Sequence, residues 1–308
     1  MENHFADRLI AAITTKQTPL VVGLDPRWAR LPEPFRADGK SGDATAEANA
    51  FQKFCCDIID SVAELVPAVK PQAAFFEQLG APGMAALAHV VQYAQQNNLL
   101  VIMDAKRGDI GSTAEAYANA FLGRKPDSVW GCDSLTVNPY LGEDSLQPFV
   151  KRCQTAGAGI FVLVKTSNPG SQTLQELTVQ SGGTLYQQVA KMVQNLNQSD
   201  LGQCGYGSIG AVVGATYPEQ LTELRQSMPN TLLLIPGFGA QGGTAQDVAG
   251  GFDPKGLGAV VNSSRAIIFA YERDQYANSK DWQSAVHQAT VDTIEQLASD
   301  TPAGNLRD

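Results

Sequence analysis

No two cysteines in this chain of 308 residues form a C-x-x-C pair, and the five present (Cys55, Cys56, Cys132, Cys153, Cys204) are odd in number and scattered. That spacing speaks against zinc and disulfide frameworks and for buried thiols in a reducing compartment. Positive charge is also scarce: 22 Lys and Arg stand against 31 Asp and Glu, a net charge of −9. A nucleic-acid or anionic-membrane partner is therefore not expected, although local basic pockets for small anions are compatible with it. No apolar run approaches the roughly 18 residues of a membrane span. The stretch "MENHFADRLIAAITTKQ" carries acids where a secretory signal needs bases. Together these absences predict a soluble cytoplasmic protein. Histidine is limited to His4, His89 and His287, near the start of the chain or inside helical segments, so a histidine base or metal centre is not expected. Linker-like composition shifts and low-complexity segments are missing too, which points to one domain spanning 1–308.

What the chain does have is a series of short β-branched runs: "PLVVGLD" (19–25), "PAVKPQ" (67–72), "LLVIMDAK" (99–106), "SLTVNPY" (134–140), "GIFVLVKT" (159–166), "IGAVVGA" (209–215), "TLLLIPG" (231–237) and "GAVVNSS" (258–264). Segments of helical composition separate most of them, clearest at 45–65, 83–96, 112–122, 184–196, 218–226 and 280–298. Continuous apolar strands alternating with helices mean a parallel sheet covered on both faces, because half-exposed strands would alternate residue by residue. Eight such strands predict a closed (β/α)8 barrel. No G-x-G-x-x-G follows the first strand to favour the open, doubly wound alternative.

Active sites of this architecture are built at the carboxyl ends of the strands, and polar residues gather there. Asp25 ends the first run, Lys70 lies near the end of the second, Asp104 and Lys106 end the third and Asn138 the fourth. Lys165, Thr166 and Ser167 end the fifth; Asn262, Ser263, Ser264 and Arg265 follow the eighth. In "DAKRGD", Asp104 and Lys106 stand two apart and point to the same side of the sheet, while Asp109 falls in the turn that opens the next helix. With Lys70 beside them, an alternating Lys-Asp-Lys-Asp cluster can form, in which each opposite-charge contact is worth about 4 kcal/mol before desolvation and keeps the lysines protonated. Arg107 reads as an ordinary solvated residue at a helix start, where Asp109 could also serve as a cap. The glycine-rich "PGFGAQGG", with Gly239 and Gly242, and then "NSSRAI", with Ser264 and Arg265, suit a phosphate held after strands seven and eight.

Taken together, "DAKRGDI", "KPQAAFFEQLG", "VKTSNPGS", "PGFGAQGG" and "NSSRAI" resemble the orotidine 5'-phosphate decarboxylase family, in its longer bacterial group, over nearly the whole chain. The resemblance implies decarboxylation of orotidine 5'-monophosphate to uridine 5'-monophosphate, without cofactor or metal, at active sites shared across a homodimer. It implies that Lys106 protonates C6, that Asp104 stresses the substrate carboxylate, and that Lys70 positions Asp104 and binds ribose hydroxyls. Asp109 and Thr113 would cross into the partner's site. Asp25 would hold the ribose and Ser167 would contact the pyrimidine; Gln241 and Arg265 would grip the phosphate and close over it. Segments 28–44 and 197–208 depart from shorter members and carry no implied role.

The rival reading is a magnesium-dependent phosphosugar lyase of the same suprafamily, which shares the barrel, the phosphate site and D-x-K. Lys70 speaks against it, since a lysine at that strand end would repel the ion. A Schiff-base aldolase would need a lysine of depressed pKa, which flanking aspartates oppose. A nucleotide-binding scaffold without catalysis would show tight binding and no turnover.

Overall fold

Each of the eight apolar runs forms a strand in the computed structural model, which describes residues 4–37, 41–239 and 243–307. The strands are β1 (Leu20–Leu24), β2 (Ala68–Pro71), β3 (Leu100–Arg107), β4 (Ser134–Val137), β5 (Gly159–Lys165), β6 (Ile209–Val213), β7 (Leu233–Ile235) and β8 (Ala259–Ser263). They close in sequence order, and β8 pairs in parallel with β1 through Val21 and Asn262. Strands other than β3 are buried along their whole length or nearly so, as expected for a sheet with side chains on one face and helices on the other. β7 is short because Pro236 ends it: proline has no N–H to extend the ladder.

Outward residues such as Val22, Val69, Val101 and Val162 join the core shared with the surrounding helices. The six expected helices all form, as Ala44–Val62, Gly80–Gln96, Gly111–Phe121, Leu185–Asn197, Pro218–Ser227 and Trp282–Asp300. The first starts where Asp43 accepts hydrogen bonds from the Thr45 and Ala46 amides. Two long helices not singled out from the sequence are Phe5–Lys16 and Glu143–Ala156, the latter carrying Pro148 in its second turn. Of the segments without an expected role, Trp28–Arg30 and Glu33–Arg36 fold against an aromatic cluster. There Phe35 meets Phe54 and Trp282 edge-on and the Arg30 guanidinium lies 3.9 Å over Phe269. Farther on, Asn197 donates to Ile209 O and accepts from Ile209 N, fixing the start of β6.

Inward residues of the barrel form a separate apolar cluster with Phe5, Leu9 and Ile13 of the helix Phe5–Lys16. That helix plugs the amino-terminal mouth. Phe5 packs edge-to-face on Phe161, with ring centres 6.0 Å apart, and glycines make the room: a Cβ at Gly159 would lie 2.1 Å from the Phe5 ring, and one at Gly210 would lie 2.4 Å from Phe161. Arg8 of the same helix pairs with buried Asp133, which also accepts from the Val101 amide. With this end filled, the cavity opens at the carboxyl ends of the strands. All five cysteines are free thiols, and burial pushes Cys56 and Cys204 up to about 11.

Candidate active site

A cavity of about 480 Å³ lies at that open end and is lined by Asp25, Lys70, Asp104, Lys106, Ser167, Ser264 and Arg265, seven of the residues named from the sequence. Its floor is a buried charge cluster. Asp104 Oδ2 accepts from Lys70 Nζ at 2.7 Å and from Gln72 Nε2 at 3.0 Å; Oδ1 accepts from Lys106 Nζ at 2.6 Å and from Thr136 Oγ1 at 3.0 Å. The carboxylate is thus held by four donors. Burial works to raise its pKa, but the two ammonium groups outweigh burial and hold it well below the usual carboxylate range. Lys70 experiences the converse. Burial alone would lower it, yet the Asp104 and Asp25 carboxylates keep its ammonium above the ordinary lysine value.

Asp104 and Lys106 meet through an irregularity in the strand, not through simple alternation. The register of β3 on β4 shifts between Met103 and Arg107, and Lys106 takes a left-handed backbone conformation with φ +48°. A side chain with a Cβ tolerates that conformation only at a cost on the order of 1 kcal/mol. Thr136 Oγ1 supports the kink by accepting from the amides of Ala105 (3.1 Å) and Lys106 (2.9 Å) while donating to Asp104. One hydroxyl therefore organises both the kink and the carboxylate. Lys70 is almost fully buried, whereas the Lys106 side chain is about half exposed (47%) toward the cavity and solvent.

Along the cavity wall, Asp25 Oδ1 and Asn262 Oδ1 are buried acceptors with no donor among the described residues. Asn262 Nδ2 donates to Ser264 Oγ at 3.2 Å. Gly23 is needed here, because a Cβ on it would fall 1.8 Å from Ser264 Oγ. Ser264 precedes the turn that begins at Arg265, and no carboxylate pairs with Arg265 among the described residues. Gly237 and Gly239 take φ values of +98° and +74°. The Gly239 amide already donates to Gly243 O, so Gly239 shapes this turn and faces an adjoining hollow that it shares with Arg265. Gln241 and Gly242 lie outside the described residues.

Asp109 and Thr113 do not reach the cavity of their own chain. Asp109 accepts from the neighbouring Ile110 amide at 2.8 Å, Ile110 occupies the helix cap, and Thr113 is exposed. Arg107, expected in solvent, is half-buried. It pairs with Glu77, donates to Ala105 O and lies within 5.7 Å of the Tyr117 ring and 5.6 Å of the Phe121 ring. The polar end of β4 also differs: Asn138 is exposed and accepts from the Tyr140 amide, while Thr136, two residues earlier, faces the cavity. Among the lining residues to which the sequence assigned no task, Gln72, Thr136 and Asn262 stand on strand ends beside the charge cluster and Ser264. Their signal was their position on strand ends, in phase with Lys70, Asn138 and Ser264.

A family model described as Orotidine 5'-phosphate decarboxylase / HUMPS family matches residues 18–279. The chain belongs to this family. Among curated members, the orotidine 5'-phosphate decarboxylase of Rhodopirellula baltica is 57% identical over 298 residues, covering 95% of this chain and 98% of that one. The one from Caldicellulosiruptor saccharolyticus is 40% identical over 304 residues, covering 93% and 99%. Among solved structures, Leishmania donovani OMP decarboxylase superposes with a TM-score of 0.74 at 32% identity, covering 96% of this chain and 98% of that one. In the family context, the Lys70–Asp104–Lys106 cluster sits at the barrel end where this fold keeps its chemistry.

Proposed function

We propose that the chain decarboxylates orotidine 5'-monophosphate to uridine 5'-monophosphate and carbon dioxide, and that the Lys70–Asp104–Lys106 cluster carries the reaction. The observation that supports this most directly is a single buried carboxylate clamped by two ammonium groups, of which one, Lys106, faces the cavity. A substrate carboxylate placed beside Asp104 meets a fixed negative charge that cannot be neutralised by protonation near pH 7. When its bond to C6 breaks, the electron pair stays on C6, neutral carbon dioxide departs, and a proton from Lys106 Nζ completes the product. Lys106 then recovers a proton from water through its exposed side. Interactions that strengthen as the charge moves lower the barrier, while those equal in ground and transition states do not.

The remaining roles follow the strand ends. Asp25, whose buried Oδ1 has no donor among the described residues, takes ribose hydroxyls together with Lys70; Ser167 meets the pyrimidine edge; Arg265, Ser264 and the glycine-rich segment 236–243, with Gly239, Gln241 and Gly242 in its sequence, take the phosphate. Binding energy at the phosphate can be used to order the cluster. A homodimer with shared sites is part of the reading. Ile110, next to Asp109, is 57% exposed, and Tyr140 and Leu141, after β4, are 73% and 49% exposed, apolar surface that suits a partner. Mixing Lys106→Ala with Asp109→Ala chains tests this, since shared sites restore activity and sites within one chain do not. No helix among the described residues is long and apolar enough to cross a membrane, in keeping with a proposed cytoplasmic location.

The deciding experiment follows the absorbance of orotidine 5'-monophosphate with EDTA-treated protein and with Lys106→Ala. Loss of substrate with the wild type alone supports the assignment. Turnover of a phosphosugar only after magnesium is restored, with no decarboxylation, would overturn it in favour of the lyase.

A further inference from the structure

Lys165, at the end of β5, is a lysine whose side chain is fully enclosed (0% exposed) and which does not line the cavity. An enclosed ammonium is costly unless charge and hydrogen bonds compensate it. Its closest partners are on the segments that follow β5 and β6, and the Tyr186 ring, on the helix Leu185–Asn197, lies farther off at 5.9 Å. Nζ donates to Ser171 Oγ at 3.0 Å, pairs with Glu176 Oε1 at 2.9 Å and lies 4.6 Å from the centre of the Tyr217 ring. Those partners are tied to one another: Gln172 Nε2 donates to the Tyr217 hydroxyl at 3.1 Å, and Gln220 Nε2 to Glu176 Oε1 at 3.3 Å. The loop carrying Ser171 and Glu176 also gives Thr166, Ser167, Asn168 and Gln175 to the cavity wall.

The loop backbone is held at both ends of that stretch. Gln175 accepts from the Thr166 amide at 2.9 Å and donates to Thr166 Oγ1 at 2.8 Å, while Thr216 Oγ1 donates to Ser167 O at 3.3 Å. At Gly214 the loop passes so close that a Cβ would sit 2.9 Å from Ser167 N. We infer that Lys165 is a positioning residue, whose enclosed ammonium gathers Ser171, Glu176 and Tyr217 and so sets the wall segment 166–175 against the base of a bound nucleotide. The phosphate and ribose contacts, at the ends of β1, β2, β7 and β8, do not depend on it. The inference rests on the nucleotide reading of the cavity given above.

Two variants and two ligands test it. Lys165→Met keeps the length of the side chain and removes the charge, and Glu176→Gln keeps an acceptor but removes the counter-charge. Both are assayed for binding of uridine 5'-monophosphate and ribose 5-phosphate by calorimetry, and for kcat and KM on orotidine 5'-monophosphate. Both variants are expected to bind uridine 5'-monophosphate about tenfold more weakly and to leave ribose 5-phosphate binding unchanged. KM should rise more than kcat falls, because the array around Asp104 is not touched. Equal weakening of both ligands, or unchanged nucleotide binding, would overturn the inference, the first by showing general loss of structure. If Lys165→Met does not yield folded protein, Glu176→Gln decides alone. A wild type that neither turns over orotidine 5'-monophosphate nor binds uridine 5'-monophosphate would instead refute the functional reading.

Discussion

Replacing Asp104 with asparagine keeps the shape of the side chain and removes the charge that compensates Lys70. In the wild type, Lys70 Nζ lies 2.7 Å from the carboxylate and the lysine is 4% exposed. The substituted amide could still accept hydrogen bonds through its oxygen, but its nitrogen would turn two donors toward groups that are themselves donors. Breaking a buried pair by removing one partner typically costs about 3–5 kcal/mol, because the remaining charge is stranded. Unfolding entropy near 2.1 cal/mol/K per residue gives roughly 650 cal/mol/K for a chain of this length, so about 4 kcal/mol corresponds to about 6 °C in Tm. Asp104→Asn is therefore expected to lose decarboxylation and to melt about 6 °C lower at pH 7. Adding Lys70→Met removes the stranded ammonium and should recover most of the lost stability without restoring activity; Lys106, half in solvent, needs no such relief. Thermal unfolding followed by circular dichroism on the four proteins of this cycle measures the coupling. If Asp104→Asn melts at the wild-type temperature, or Lys70→Met lowers it further by the same amount in both backgrounds, the carboxylate does not hold Lys70 and the array is not a coupled unit.

The same carboxylate sets an acid limit. Since its folded pKa is depressed, its contribution is complete above the unfolded value near 4 and disappears as pH falls through the lower folded value; urea midpoints of wild type and Asp104→Asn should therefore converge in strong acid. Lys70 is raised, so its contribution is complete below the ordinary lysine value of about 10.4 and is lost only above it. Thr136→Val removes the hydroxyl that serves Ala105, Lys106 and Asp104, leaves buried donors unpaired at about 1–3 kcal/mol, and should lower kcat with little change in KM, measured by steady-state kinetics. Gly210→Ala places a methyl 2.4 Å from Phe161 and should cost about 1–3 kcal/mol by overpacking, seen as a lower urea midpoint.

Strand positions were legible because a parallel barrel buries both faces, so each strand appears as an unbroken apolar run. Helices were less evident where sequence signals conflict. Glu143–Ala156 contains Pro148, which removes one intrahelical hydrogen bond in the second turn, a loss outweighed by burial of Leu146, Phe149 and Val150 around it. Charged members of the site were legible because a carboxylate or ammonium on an apolar strand end is costly without a task. Thr136 was not, since threonine is at home in any strand and its hydroxyl acquires a task only through the kink at Lys106. Arg107 shows the converse, a charge that reads as solvated until tertiary structure brings Glu77 and two rings to it.

The helix that plugs the barrel mouth also bears on how the chain is made. Phe5 finds Phe161, Arg8 finds Asp133, and Asp7 accepts from the Cys204 amide, so its partners follow it by 125 to 197 residues. On a ribosome the helix must wait for them, and synthesis at about 5–20 residues per second makes that wait roughly six to forty seconds. Until then Phe5, Leu9 and Ile13 have no barrel to enter. The plug is synthesised before the mouth it closes, which leaves its apolar face uncovered during translation and makes its docking a late event in folding.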